Sequence, residues 1–237
     1  MVNINLHKST LVMVLRSVYS DPILRNVLGF KGGTAAYLFY GLPRFSVDLD
    51  FDLFDPEKKQ MVFERLKQTL PQFGNLIEAK EKRYTLFFLL SYQKGERTLK
   101  VEVSKRPSKS KFEPKNFLGI PMLVMLKNDM ATGKLLALIT RKKLATRDLF
   151  DLWFFLKNNW QINNKLIKDT VDFTVMKALK EAENKVKSVK KTSLLAGLGD
   201  LLDNKQKSWV KNHLQNELLF LLKLQQNIYG DIRVNNY

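Results

Sequence analysis

The chain contains no cysteine and only two histidines among its 237 residues. Without thiols there is no disulfide framework, no thiolate zinc site and no cysteine nucleophile, and a reducing cytosol is the compartment that fits. His7 and His213 are isolated, so no histidine cluster offers itself to zinc. No apolar run approaches transmembrane length. The run Leu218-Leu219-Phe220-Leu221-Leu222 is interrupted by Lys223 and reads as buried helix. The first residues, Met1 to Lys8, lack the layout of a signal peptide. The expectation is a cytoplasmic protein with no membrane partner. A Gly-x-Ser-x-Gly elbow is also missing. Gly133-Lys134 lacks the earlier glycine of a P-loop, and Gly197-Leu198-Gly199 lacks the later glycine and preceding strand of a dinucleotide site. Acids are scarce as well: 23 against 40 basic residues, for a formal net charge of +17 and a pI near 9.9.

That balance suits a polyanionic partner. The bases cluster from Lys105-Arg106 to Lys115, at Arg141-Lys142-Lys143, and from Lys185 to Lys191. No amphipathic anchor or lipidation motif favours a membrane surface, so RNA or DNA fits better. A lysine-rich proteome would produce the same balance, and charge alone speaks only to non-specific binding.

Hydrophobic residues make up 45% of the chain, enough for a globular protein of one domain or two small ones. Residues 7 to 29 read as a helix, with Leu11, Leu15, Val18 and Leu24 on an apolar stripe interrupted by Asp21-Pro22. A helix opens at Asp55-Pro56 and runs to about Leu70. Three strands follow between residues 75 and 104, the last two joined by a turn at Lys94-Gly95. The polar stretch from Arg106 to Asn116 reads as a linker or loop. After Pro121 the pattern is mostly helical, with candidate helices at 127–140, 147–159, 163–187 and 205–228. Trp153, Phe154, Phe155 and Trp160 read as core packing before base-stacking surface.

Two neighbouring pieces carry chemistry. Lys31-Gly32-Gly33-Thr34 leads into a short helical run that Gly41 is placed to end. A Gly-Gly turn lets backbone approach a ligand closely. Amides at the following helix start form an anion site, and the Thr34 hydroxyl adds a donor. The second piece, Ser46-Val47-Asp48-Leu49-Asp50-Phe51-Asp52-Leu53, alternates with the period of a half-buried strand. Asp48 and Asp50 then share a face, roughly 7 Å apart by strand rise. Carboxylates so placed repel unless a cation lies between them, and a hard divalent ion such as Mg2+ takes oxygen ligands of this kind. Glu102, between Val101 and Val103 on another alternating stretch, joins them if its strand neighbours that of Asp48. Each piece alone is equally compatible with a plain turn, a solvated strand face or an exposed edge glutamate. In this order, a short helix apart, they read as one site.

The pattern of Gly-Gly, Asp-apolar-Asp and apolar-Glu-apolar resembles the nucleotidyltransferase superfamily with a polymerase-beta-type core. The fuller string from Lys31 to Phe51, with Gly41-Leu42-Pro43-Arg44-Phe45-Ser46, is similar to the AbiEii/AbiGii-type toxin nucleotidyltransferases of type IV toxin–antitoxin and phage-defence systems. Lys134-Leu135-Leu136-Ala137-Leu138, Arg141 and Arg147-Asp148-Leu149-Phe150-Asp151-Leu152-Trp153 extend the match, which covers about residues 25 to 156.

The resemblance implies an α+β fold: a two-layer core of mixed β-sheet flanked by helices over residues 1–118. A mostly helical domain, 119–237, would complete the active site and bind the acceptor. It also implies transfer of NMP from an NTP to an RNA 3′ end such as that of tRNA, and a cognate antitoxin encoded nearby. Charge then suggests the roles. Gly32, Gly33 and Thr34, with Ser46 nearby, would hold the NTP phosphates. Asp48, Asp50 and Glu102 would hold Mg2+ or Mn2+, with Glu102 also a candidate base for the acceptor hydroxyl. By resemblance, Lys134 would contact the triphosphate and Asp148 would position Lys134 or the acceptor. Arg44 could cap the site or pair with a carboxylate. A protein or small-molecule acceptor, or a non-catalytic basic nucleic-acid-binding module, are the other readings of the same residues.

Overall fold

Secondary structure in the computed structural model is described for residues 3–234, with side chains to residue 230. The chain divides into two compact units, Met1–Met125 and Leu126–Tyr237.

The first unit opens with α1 (Ile4–Ser20), whose Asn3 side chain accepts a hydrogen bond from the Leu6 amide. Leu11, Val14, Leu15 and Val18 form its buried stripe. His7 is buried on the same helix. Its Nε2 donates to the Val47 carbonyl at 3.0 Å and its Nδ1 accepts from the Tyr92 hydroxyl at 2.7 Å. Burial lowers its pKa, so the neutral ring ties α1 to the segment entering the Asp48 strand. At Asp21 the carboxylate takes over the next two free amides, from Ile23 and Leu24, at 2.8 and 3.0 Å, and the helix stops.

Here the structure departs from a helix continuing to residue 29. A single turn, α2 (Leu24–Val27), gives way to β1 (Leu28–Lys31). Leu28, Gly29 and Phe30 are all buried, and so short a continuous apolar run fits a central strand as well as a helix. Then come α3 (Gly32–Tyr40), β2 (Asp48–Leu53), α4 (Lys59–Thr69), β3 (Asn75–Glu81), β4 (Thr85–Ser91), β5 (Leu99–Ser104), β6 (Phe112–Phe117) and β7 (Ile120–Met125). Gly41 ends α3 in the left-handed conformation, as expected of a C-cap.

The strands form one seven-stranded mixed sheet in the order β3-β4-β5-β2-β1-β7-β6. β2 lies antiparallel to β1 and parallel to β5, while β1 and β7 run parallel. The β6–β7 hairpin occupies residues read from sequence as a linker and the start of a helical region. β6 is an edge strand with an internal proline, Pro114, and alternating polar residues, so it looks like loop. Leu118 and Gly119 both take positive φ between the paired residues Phe117 and Ile120. This is the two-residue turn that suits sheet twist, although a leucine there does not announce it.

The second unit holds α5 (Lys127–Thr140), α6 (Thr146–Lys157), α7 (Asn164–Val171), α8 (Val175–Lys187), α9 (Asn204–Trp209) and α10 (Gln215–Val234), the last two joined by a π-helical turn. The segment 163–187 is therefore two helices. Asp172 adopts the left-handed region at φ 54°, and the Thr174 side chain caps the new start by accepting from Lys177. The aromatic residues of α6 pack in the core: Phe155 stacks on Trp160 at 4.2 Å and Trp153 lies 4.3 Å from Trp209.

The β1–α3 junction sets a tight local constraint beside the Asp50 carboxylate. Gly32 has φ 79°, and a Cβ there would come within 2.5 Å of the Asp50 carboxylate. Gly32→Ala is expected to cost ~1–3 kcal/mol through the left-handed backbone alone. Urea unfolding of the variant against the wild type checks it, and an unchanged midpoint would contradict the constraint.

Candidate active site

The parallel pairing of β2 with β5 decides which side chains meet. Asp48 is opposite Lys100 and Asp50 opposite Glu102, so all four stand on one face of the sheet. Leu49, Phe51, Val101 and Val103 point to the other face and are fully buried. The convergence expected of Glu102 with the aspartates is thus a matter of strand order and register.

Sequence reading missed Lys100. Its ammonium lies 3.2 Å from Asp48 Oδ2 and 3.3 Å from Glu102 Oε2. The signal was the same alternation that exposes Glu102, since Lys100 sits two residues before it. Burial works against the charge on Lys100, but Asp48, Glu102 and Asp50 outweigh it and raise its pKa. Asp50 shows the converse. Burial, then the neighbouring charges of Asp48 and Glu102, raise its pKa above the ordinary carboxylate value despite Lys100 and Lys31.

The donor set is hard oxygen of the kind a divalent cation takes, and the Lys100 ammonium stands in as a cation among it. Among the described residues no cluster of three or more His, Cys, Asp or Glu side chains is placed to hold a metal ion. Asp52, next along β2, is buried and separately satisfied by Lys31 and by the Ser108 hydroxyl at 2.8 Å.

Gly32 and Gly33 bring the first turn of α3 against this face. A Cβ on Gly33 would come 2.6 Å from Nη2 of Arg44 and 2.9 Å from Ser46 Oγ. Arg44 is buried and donates from Nη1 to the Phe45 carbonyl at 3.0 Å. Thr34 is placed differently from the phosphate donor expected of it. Its side chain is fully buried, and its hydroxyl lies 2.9 Å from Ser46 Oγ and within bonding reach of the Asp48 carbonyl. It pins the start of α3 to the start of β2.

The second unit brings together Lys134, Asp148 and Asp151. The Lys134 ammonium on α5 lies 2.7 Å from Asp148 Oδ1 and 2.8 Å from Asp151 Oδ2 on α6. Arg141 pairs with the second Asp148 oxygen, and Asp151, which sequence reading left without a role, is the second partner of Lys134. Asp148 stands in the first turn of α6, where the helix dipole favours a carboxylate. Both aspartate side chains are almost wholly buried, at 2% and 0% exposure.

The mixed sheet followed by helices is a nucleotidyltransferase-like fold. A candidate nucleotidyltransferase from H. pylori matches with a TM-score of 0.61 and 23% identity over 95% of this chain and 96% of that one. JHP933 from Helicobacter pylori matches with a TM-score of 0.55 and 22% identity, covering 96% of each chain. MenT4, a nucleotidyltransferase toxin from Mycobacterium tuberculosis, matches with a TM-score of 0.55 and 18% identity over 90% of this chain and 82% of its own. A search of curated proteins finds no match. The family model described as nucleotidyl transferase AbiEii toxin, type IV TA system, matches residues 14–207. The chain belongs to this family of nucleotidyltransferase toxins of type IV toxin–antitoxin systems. It is therefore a nucleotidyltransferase-family enzyme, and membership implies an NTP substrate and a cognate antitoxin. Among the described residues no helix is long and apolar enough to cross a membrane.

Two outcomes follow from the electrostatics. Because the folded protein raises the Asp50 pKa, it binds that proton more tightly than the unfolded chain does. Asp50 thus lowers stability once pH exceeds its folded pKa, and the penalty fades as pH falls into the ordinary carboxylate range. Asp50→Asn should raise the melting temperature at pH 7 in EDTA by on the order of a few degrees. The gain should shrink in acid, and a lower melting temperature at pH 7 would contradict this. Lys134→Met leaves two buried carboxylates with one fewer partner and should cost ~3–5 kcal/mol in urea unfolding.

Proposed function

We propose that the chain transfers a nucleoside monophosphate from an NTP to the 3′-hydroxyl of an RNA, with tRNA the favoured acceptor class, releasing pyrophosphate. The observation that carries this is the meeting of a helix-initiating Gly-Gly turn with the carboxylate face. Gly32 lies so close to Asp50 that a side chain there would strike its carboxylate.

The residues divide the work. Amides at the start of α3, from Gly32 and Gly33, receive phosphate oxygens, helped by the positive end of the helix. Thr34 and Ser46 hold that helix start against β2 through their mutual hydrogen bond. Asp48 and Asp50, with Glu102, would hold a divalent cation, Mg2+ or Mn2+. When bound it would offset charge on the reacting phosphate oxygens. Glu102, 29% exposed beside Lys100, accepts the proton of the attacking hydroxyl. By family resemblance Lys134 would contact the triphosphate, and Asp148 sets the lysine's position through their ion pair.

The net charge of +17 and the basic run from Lys185 to Lys191 favour RNA over a cationic small molecule as acceptor. The boundary expected at residue 118 would cut β7 from the sheet, so the sheet-bearing unit Met1–Met125 is proposed as the catalytic core and the helical unit Leu126–Tyr237 as the part that binds the acceptor. The setting is the cytoplasm, in a toxin–antitoxin or phage-defence system.

The test is label transfer. Purified protein is incubated with Mg2+, each labelled NTP in turn and total RNA, beside the Asp48→Ala, Asp50→Ala double variant. Label is expected in a discrete RNA band and should be lost in the double variant. Label on protein or on a small molecule would overturn the RNA acceptor. Neither transfer nor NTP binding would overturn the enzymatic reading and leave a basic binding module.

A further inference from the structure

We infer that Lys100 is the resident counterion of the carboxylate face, and that a divalent cation binds there only by displacing it. The inference rests on the proposed reading that Asp48 and Asp50 hold such an ion, and adds a competitor built into the chain itself.

The geometry has three parts. The Lys100 ammonium is within 3.3 Å of both Asp48 and Glu102, so it occupies the space between two of the three proposed ligands. Its place is set by register: it projects from β5 opposite Asp48, two residues from Glu102 and on the same face. Finally, Asp50 pairs in register with Glu102 on the same face, so the third proposed ligand stands beside the two that the ammonium touches.

Charge then dictates the consequence. An ammonium and a divalent ion among the same carboxylates repel strongly at a half-buried site. One of them has to leave, and the lysine can. Its side chain retains 26% exposure and hangs on a flexible four-carbon stem. Without metal, Lys100 offsets the mutual repulsion of Asp48, Asp50 and Glu102 and keeps the face folded. With a divalent ion held by Asp48 and Asp50, the freed Lys100 ammonium would be available to pair with triphosphate oxygens. Bare metal should therefore bind weakly, and metal together with nucleotide much better. The device favours loading of the two together over metal alone.

The experiment measures Mn2+ binding from the free-ion electron paramagnetic resonance signal, with no turnover required. Wild type, Lys100→Met, Lys100→Arg and the Asp48→Ala, Asp50→Ala double variant are titrated without nucleotide. Lys100→Met should bind Mn2+ about tenfold or more tightly than wild type, because one repelling charge is gone. It should also melt at a lower temperature than wild type in EDTA. Lys100→Arg keeps the charge and should not gain affinity. An affinity for Lys100→Met equal to or weaker than wild type, with binding abolished in the double variant, overturns the inference and leaves the metal site standing. Binding that the double variant retains in full, or that neither wild type nor Lys100→Met shows, overturns the metal reading and the inference with it. If Lys100→Met does not fold, Lys100→Gln is titrated in its place with the same expected gain.

Discussion

Carboxylates brought together on one half-buried face repel one another, and the parallel register of β2 against β5 is what brings them together. That register is held from the opposite side. Leu49, Phe51, Val101 and Val103 are fully buried, and a slip of one residue would exchange them with Asp48, Asp50, Lys100 and Glu102. Burying four charged side chains in an apolar layer costs far more than any local rearrangement could recover. The apolar half of the alternation therefore determines where the polar half must stand. Function at this face depends on core packing at the other.

Charge accounting extends outward from those strands. Each acid on the face has a neighbouring base: Lys100 between Asp48 and Glu102, Lys31 beside Asp52. Asp50 is the exception in degree, since burial and two like charges raise its pKa against the pull of Lys100 and Lys31. A carboxylate held at a disadvantage in the folded protein is a usual mark of a site kept for a ligand. The second unit follows another rule. Lys134 meets both buried aspartates, Asp148 and Asp151, and the half-exposed Arg141 pairs with Asp148, an arrangement that stabilises mainly by leaving no buried charge uncompensated. A lysine so engaged can serve a substrate only if its aspartates keep enough other partners when it turns away. Arg141 on the far oxygen of Asp148 is one such partner.

The local signals were legible and the non-local ones were not. Alternation marked Asp48 and Asp50 as neighbours on one face, and Gly41 marked the end of α3, because strand and helix periods are written in adjacent residues. β1 was read as the tail of a helix because a three-residue apolar stretch, Leu28 to Phe30, has no period to distinguish it. The β6–β7 hairpin was hidden by Pro114 and by a turn that places Leu118 at positive φ. The break between α7 and α8 rests on Asp172 taking the left-handed conformation, which helical periodicity on either side conceals.

Lys100 is the more instructive omission. A search for metal ligands looks for acids, so the cation two residues before Glu102 passed without notice. Yet the reasoning that makes three carboxylates a site also demands something positive among them before any ligand arrives. A parallel strand pair offers only the alternate residues of the two strands to that face. On β5 those residues are Lys100, Glu102 and Ser104, and only one of them is a base. Once β2 and β5 are known to pair, the counterion is thus identified by elimination, and the same step shows why it was out of reach before. Which strand lies beside β2 is decided by packing across the whole sheet, with α4, β3 and β4 intervening in sequence between the two strands. The chemistry of the face was written locally in the acids. Its counterion is written in a pairing that no stretch of sequence contains by itself.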